Sequence, residues 1–210
     1  MRKLILVGAG GFGREALSWA NAMPQAGKEW TFGGFIEEAR DALKNYDRLG
    51  AAILGDYHDF QPQPDQIFAM AIGDPRRKLQ VAEGLLARGA SFVNVIHPLA
   101  SIAEGVRMGI GCVLCPGALV SADARVGDFV SVNHNGGIGH DVQVGDGCTI
   151  SSHADLTGFV KLGRGVMVGS HAAVLPKVEV GDFAVVGAGA IVVRNVAPAT
   201  TVYAQPARKM

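Results

Sequence analysis

From Ile102 onward an aliphatic residue or Met recurs at every sixth position: Ile102, Met108, Leu114, Val120, Val126 and Val132, continuing without a break to Val180, Val186 and Val192. Four residues after each of these stands something small or β-branched, from Val106, Cys112 and Ala118 to Ala184, Ala190 and Val196. Glycine often follows the aliphatic residue directly, as at Gly109, Gly127, Gly145, Gly163 and Gly181. A period of six fits neither a 3.6-residue helix nor the simple alternation of a strand. It fits short strands and turns that repeat one geometry and bury their apolar residues only by stacking, with one large and one small side chain per unit facing a narrow interior.

The first 97 residues follow a different rule. An apolar run of strand type, Lys3 to Val7, enters Gly8-Ala9-Gly10-Gly11-Phe12-Gly13 and then a helix-prone stretch to about Met23. A strand, a G-x-G-x-x-G turn and a helix can bring backbone amides and a helix N-terminus against a phosphate. Further strand-like runs are predicted at 30–36, 51–54, 67–72 and 92–96, with an amphipathic helix at 75–88. This alternation predicts a small parallel α/β sheet, Rossmann-like in kind. About 95 residues is too few for the two mononucleotide halves of a dinucleotide fold, so one nucleotide is expected rather than NAD. Glu37 and Glu38, ending the second run, are placed to hydrogen-bond a ribose or base, and Gly73 ends the fourth. Two domains follow, 1–97 and 98–210.

Composition narrows the picture. Lys plus Arg and Asp plus Glu each number 19, so no charge excess argues for nucleic acid or an anionic membrane. The apolar run after Arg2 and Lys3 is too short for a signal peptide or a membrane span. Three cysteines make no disulfide framework. Cys112 and Cys115 form a CxxC, but Cys112 and Cys148 fall on the small inward phase of the repeat, which reads as packing in a reducing cytoplasm.

The six-residue period resembles the hexapeptide repeat of the left-handed parallel β-helix, in which three hexads make one triangular coil. That resemblance implies a homotrimer with active sites between subunits, and acetyl-CoA as acyl donor. The stretches GAGGFGRE, FIEE, AIGDPRRK, VIHP, NHNGGIGHDVQVGD, VLPKVEVG and VYAQPARKM extend the likeness over the whole chain. They resemble the bacterial nucleotide-sugar acetyltransferases that modify 4-amino sugars, and the related sialic acid O-acetyltransferases. The resemblance implies that Gly8, Gly10, Gly11, Phe12, Glu37, Glu38 and Gly73 contact a nucleotide-linked sugar. Phe12 stands where the family often has His, Glu37 and Glu38 where it usually has Asp, and Ala204 where it usually has Gly.

With eighteen residues per coil, Gly158 should stack on His140, and Asn135, His153 and His171 should form a separate column about 4.8 Å apart. His140 is not at an inward aliphatic position, and imidazole titrates near the working pH, which suits a base for the acceptor proton. An exposed turn histidine has the same appearance; the resemblance makes His140 the base and Asp141 its orienting acid. Gly158 is the expected backbone donor for the oxyanion. Asn133 and His134 are expected to line the same cleft. Gly169, Gly187, Ala188, Ala204, Arg208 and Lys209 are expected to form the CoA groove, with no metal. Cys115 alone among the cysteines has any claim as a nucleophile, and direct transfer without an acyl-enzyme is expected. N-acetylation of a 4-amino sugar is placed ahead of O-acetylation. Behind both stand a zinc site built on His153 and His171, of the kind that hydrates carbon dioxide, and a non-catalytic sugar-nucleotide binder.

Overall fold

The computed structural model describes residues 1–205. Four parallel strands, β1 (Arg2–Val7), β2 (Trp30–Ile36), β3 (Ile53–Gly55) and β4 (Gln66–Met70), form a sheet in the order β3-β2-β1-β4. The central strand reads Leu4-Ile5-Leu6-Val7, fully buried because both of its faces are covered. Helix α1 (Gly11–Asn21) begins straight out of the glycine turn and lays Ala16, Leu17, Trp19 and Ala20 into the core. Helix α2 (Pro75–Ala87) has a proline in its first turn, and the Asp74 carboxylate accepts the Arg77 N–H at 2.8 Å as its cap.

The remainder is a parallel solenoid of two-residue strands in three sheets of seven, six and five strands. Register is eighteen residues up to Val192, as in Ser131↔Thr149, Gly137↔Asp155 and Arg125↔Gln143, and shortens to sixteen at the last rung, Val185↔Thr201. In each pair the second residue faces inward, so Val120, Val132, Ile138, Ile150, Leu156 and Val168 share one dry core with Ala118, Val142, Cys148 and Ala154. Ile102, in the first coil, remains 41% exposed because no coil lies beneath it. The corners turn on left-handed residues, among them Asp123, Asp141, Phe159 and Lys177 in one column and Asn135, His153 and His171 in another. A non-glycine residue in that region costs on the order of 1–3 kcal/mol, which the stacked coils over-determine.

The run 92–96 does not form a final strand of the α/β sheet. Phe92 makes an isolated bridge to Phe68, whereas Val95–Ile96 pairs with Val113–Leu114 as the first rung of the solenoid. The α/β domain packs on the seven-stranded face. Leu79 of α2 sits where a Cβ on Gly147 would lie, Phe92 meets Phe129 edge-on at 4.9 Å, and Arg76 lies over the Phe183 ring at 4.3 Å. Glu83 pairs with Arg164. On the flanking corner Trp19 meets His134 edge-on, with 5.3 Å between ring centres.

Candidate active site

His140 stands at the corner between the six-stranded and five-stranded faces, opposite the face that carries the α/β domain. Asp141 has φ +58°, and this left-handed turn brings two adjacent side chains to the same side: His140 Nδ1 lies 2.9 Å from Asp141 Oδ2. A regular strand would have sent them to opposite faces. The ring meets Phe159 edge-on at 5.2 Å, and its Nε2 and Cε1 would lie 2.6 Å from a Cβ built on Gly158. The imidazole therefore rests directly above the bare Cα of Gly158, as the eighteen-residue stacking predicts. The Gly158 N–H has no acceptor among the described residues.

The other predicted column also forms, and the His153 and His171 rings stack at 4.8 Å and 6°. Among the described residues no three His, Cys, Asp or Glu side chains converge as metal ligands. Asn133 and His134 do not stand beside His140 within one chain. Six residues advance the solenoid by one side of its triangle, so they occupy the previous corner, His134 against Trp19 and Asn133 within 3.8 Å of the Cys115 sulfur. Only residues eighteen apart share a corner.

A cleft of about 290 Å³ opens at the carboxyl end of the α/β sheet, lined by Gly8, Gly10, Gly11, Phe12, Glu37, Tyr57, Gly73 and Arg77 among others. Gly8 is required by its φ of +105° and by the Ala71 carbonyl 2.8 Å from any Cβ, and Gly13 by the Gly8 carbonyl at 2.0 Å. Gly10 and Gly73 differ, since a Cβ on either would meet nothing within 4 Å. Glu37 braces the turn: its two oxygens accept the Ala9 and Glu38 N–H groups, each at 2.9 Å. Glu38 stands further out, accepting the Tyr57 hydroxyl at 3.1 Å and pairing with Arg77, which also donates to Tyr57. Burial raises the Tyr57 pKa and keeps the phenol protonated.

Tyr57 and Arg77 were not legible as site residues beforehand; Tyr57 lies outside any periodic run, whereas Arg77 follows from the Asp74-Pro75 helix start. Thr149 and the wholly buried Lys78 are further arrivals. Burial pushes the Cys112 and Cys148 thiols up to about 12 and Cys115 higher, so none offers a thiolate near neutral pH.

At the far end a groove of about 340 Å³ runs past Ile191, Val193, Tyr203 and Ala204. Ala188 is exposed. Gly169 and Gly187, both partly exposed, have a packing reason to be glycine: a Cβ on Gly169 would strike the Ala188 amide at 2.5 Å, and one on Gly187 would meet Tyr203 at 2.9 Å. Arg208 and Lys209 lie outside the described residues.

Residues 3–85 match the PglD N-terminal domain family. No curated protein matches the chain in sequence. Among solved structures, a mutant of perosamine N-acetyltransferase from Caulobacter crescentus, in complex with CoA and GDP-perosamine, superposes with a TM-score of 0.85 at 26% identity, over 99% of this chain and 96% of that one. The acetyltransferase domain of PglB from Neisseria gonorrhoeae, in complex with acetyl coenzyme A, gives 0.83 at 27%, over 100% and 99%. WeeI from Acinetobacter baumannii gives 0.84 at 26%, over 99% of each chain.

Proposed function

We propose that the chain is a nucleotide-sugar N-acetyltransferase of the hexapeptide-repeat kind, with a left-handed parallel β-helix behind its α/β domain, and that it moves acetyl from acetyl-CoA to the 4-amino group of a nucleotide-linked deoxyamino sugar. The observation that carries this reading is the His140–Asp141 pair poised above Gly158. Asp141 accepts the Nδ1 proton, which leaves Nε2 as the free base. As the amine nitrogen bonds to the thioester carbon, Nε2 takes its proton. The Gly158 N–H receives the developing oxyanion, the C–S bond then breaks, and the proton leaves on the CoA sulfur. A positioned base of this kind contributes about 10²- to 10⁴-fold.

The α/β cleft holds the nucleotide, with Gly10 and Gly73 leaving it open and Tyr57, Arg77 and Glu38 at its mouth. Because His140 stands opposite the face on which its own α/β domain is docked, the bound acceptor meets the base of another copy. The expected assembly is a homotrimer with three such sites. Acetyl-CoA lies along the C-terminal coils, where Ala188, Tyr203 and Ala204 border open space. Unpaired, buried cysteines fit the reducing cytoplasm. Among the described residues no helix is long and apolar enough to cross a membrane.

The test is CoA release from acetyl-CoA against nucleotide-linked 4-amino sugars, the matching 4-hydroxy sugars and free sialic acid. Turnover confined to the amino sugars supports the proposal. Turnover only with hydroxyl acceptors moves the reading to O-acetylation, and none with any acceptor removes it.

A further inference from the structure

Among the described residues Lys78 is the only buried charged side chain, and no carboxylate bonds to it. Its Nζ donates to Ser131 Oγ at 3.0 Å, Cys148 O at 3.1 Å and Thr149 Oγ1 at 2.9 Å, all on the solenoid, so its three protons are used. An apolar side chain of similar length would seat the helix without dehydrating an ammonium. What the ammonium adds is direction. Thr149 Oγ1 accepts from Lys78 and so turns its own proton outward, to the Gly73 carbonyl at 2.8 Å. Gly73 and Asp74 both line the nucleotide cleft.

A trans peptide points its C=O and N–H in opposite directions. With the Gly73 carbonyl held against the solenoid, the Asp74 N–H faces away from it, toward the cleft, and it has no acceptor among the described residues. We propose that Lys78 and Thr149 are positioning residues: together they lock the Gly73–Asp74 peptide so that the Asp74 N–H is presented to an oxygen of the bound nucleotide diphosphate. This rests on the functional reading above, and it makes the solenoid part of the nucleotide site.

Two variants separate positioning from mere stability. Thr149→Val removes one Lys78 acceptor and frees the Gly73 carbonyl; Ser131→Ala removes another Lys78 acceptor and leaves Gly73 bonded. Thr149→Val is expected to raise the acceptor KM about tenfold, the effect of losing one well-placed hydrogen bond, with kcat and the acetyl-CoA KM unchanged. Ser131→Ala is expected to stay within about twofold of wild type in all three, since its loss falls only on folding. Equal acceptor KM values in the two variants overturn the proposal. Failure of the functional reading is distinguished by a binding readout: the thermal shifts that GDP, UDP and dTDP give wild type and Thr149→Val. A shift in wild type that shrinks in Thr149→Val and not in Ser131→Ala supports the lock even without turnover. No shift with any nucleotide, or the same shift in all three proteins, overturns it.

Discussion

Replacing Gly158 with alanine tests the placement of the base without touching it. The new methyl would lie 2.6 Å from both Nε2 and Cε1 of His140, against the roughly 3.5–4.0 Å at which such atoms pack comfortably. The ring must move by about 1 Å, and misplacement on that scale costs on the order of a hundredfold in rate, or about 2.7 kcal/mol. Stability should hardly change, within about 0.5 kcal/mol, because the His140 side chain is 59% exposed and yields into solvent. Gly13→Ala is the contrasting control: its methyl would sit 2.0 Å from the Gly8 carbonyl, which cannot retreat, and about 3 kcal/mol of stability should be lost. The assay pairs kcat at saturating acetyl-CoA with urea unfolding. Wild-type kcat in a folded Gly158→Ala protein would refute the placement of Nε2 above Gly158 during catalysis.

Other predictions follow from the same geometry. Lys78 has its pKa lowered from 10.5 to about 8, first by burial. Below about 8 both folded and unfolded chains hold the proton and the full cost applies. Between about 8 and 10.5 only the unfolded chain binds it, so stability rises with pH, by about 3 kcal/mol in all. Unfolding of Lys78→Met measured from pH 7 to 10.5 should lack that rise, and a parallel rise in the variant would disprove the assignment. Asp141→Asn keeps an acceptor for Nδ1–H but removes the charge that favours imidazolium, and kcat should fall about tenfold. Gly10→Trp fills the open cleft and, like His140→Ala, should be inactive alone. Mixed equally and reassembled, the two should recover about a quarter of wild-type activity, since a site then needs one intact base and one intact neighbouring domain. Zero recovery would mean that each chain serves its own base.

The solenoid was legible because its period is long, unbroken and incompatible with helix or simple strand, and the eighteen-residue arithmetic then placed Gly158 under His140 and His171 on His153. The same arithmetic puts Asn133 and His134 one corner before His140 within a chain, so for them to line its cleft as the resemblance implies, they must come from a neighbouring copy. Glu37 and Glu38 were readable as a pair, but not their division of labour, which depends on where the glycine turn passes and on Tyr57 arriving from a non-repetitive loop. Lys78 was hidden for a physical reason: a lysine on an amphipathic helix is ordinarily solvated, and only the docked solenoid face removes it from water. Gly169 and Gly187 carry a second reason for glycine that the repeat alone did not show, since close coil packing leaves no room for a Cβ at either.

The account turns on His140 as the base, and the most direct measurement is kcat for His140→Asn at saturating acetyl-CoA and amino-sugar nucleotide, with the KM for each substrate followed alongside. The prediction is a fall of about a hundredfold or more in kcat, the low end for losing a general base, with both KM values near wild type. A kcat within about threefold of wild type would contradict it.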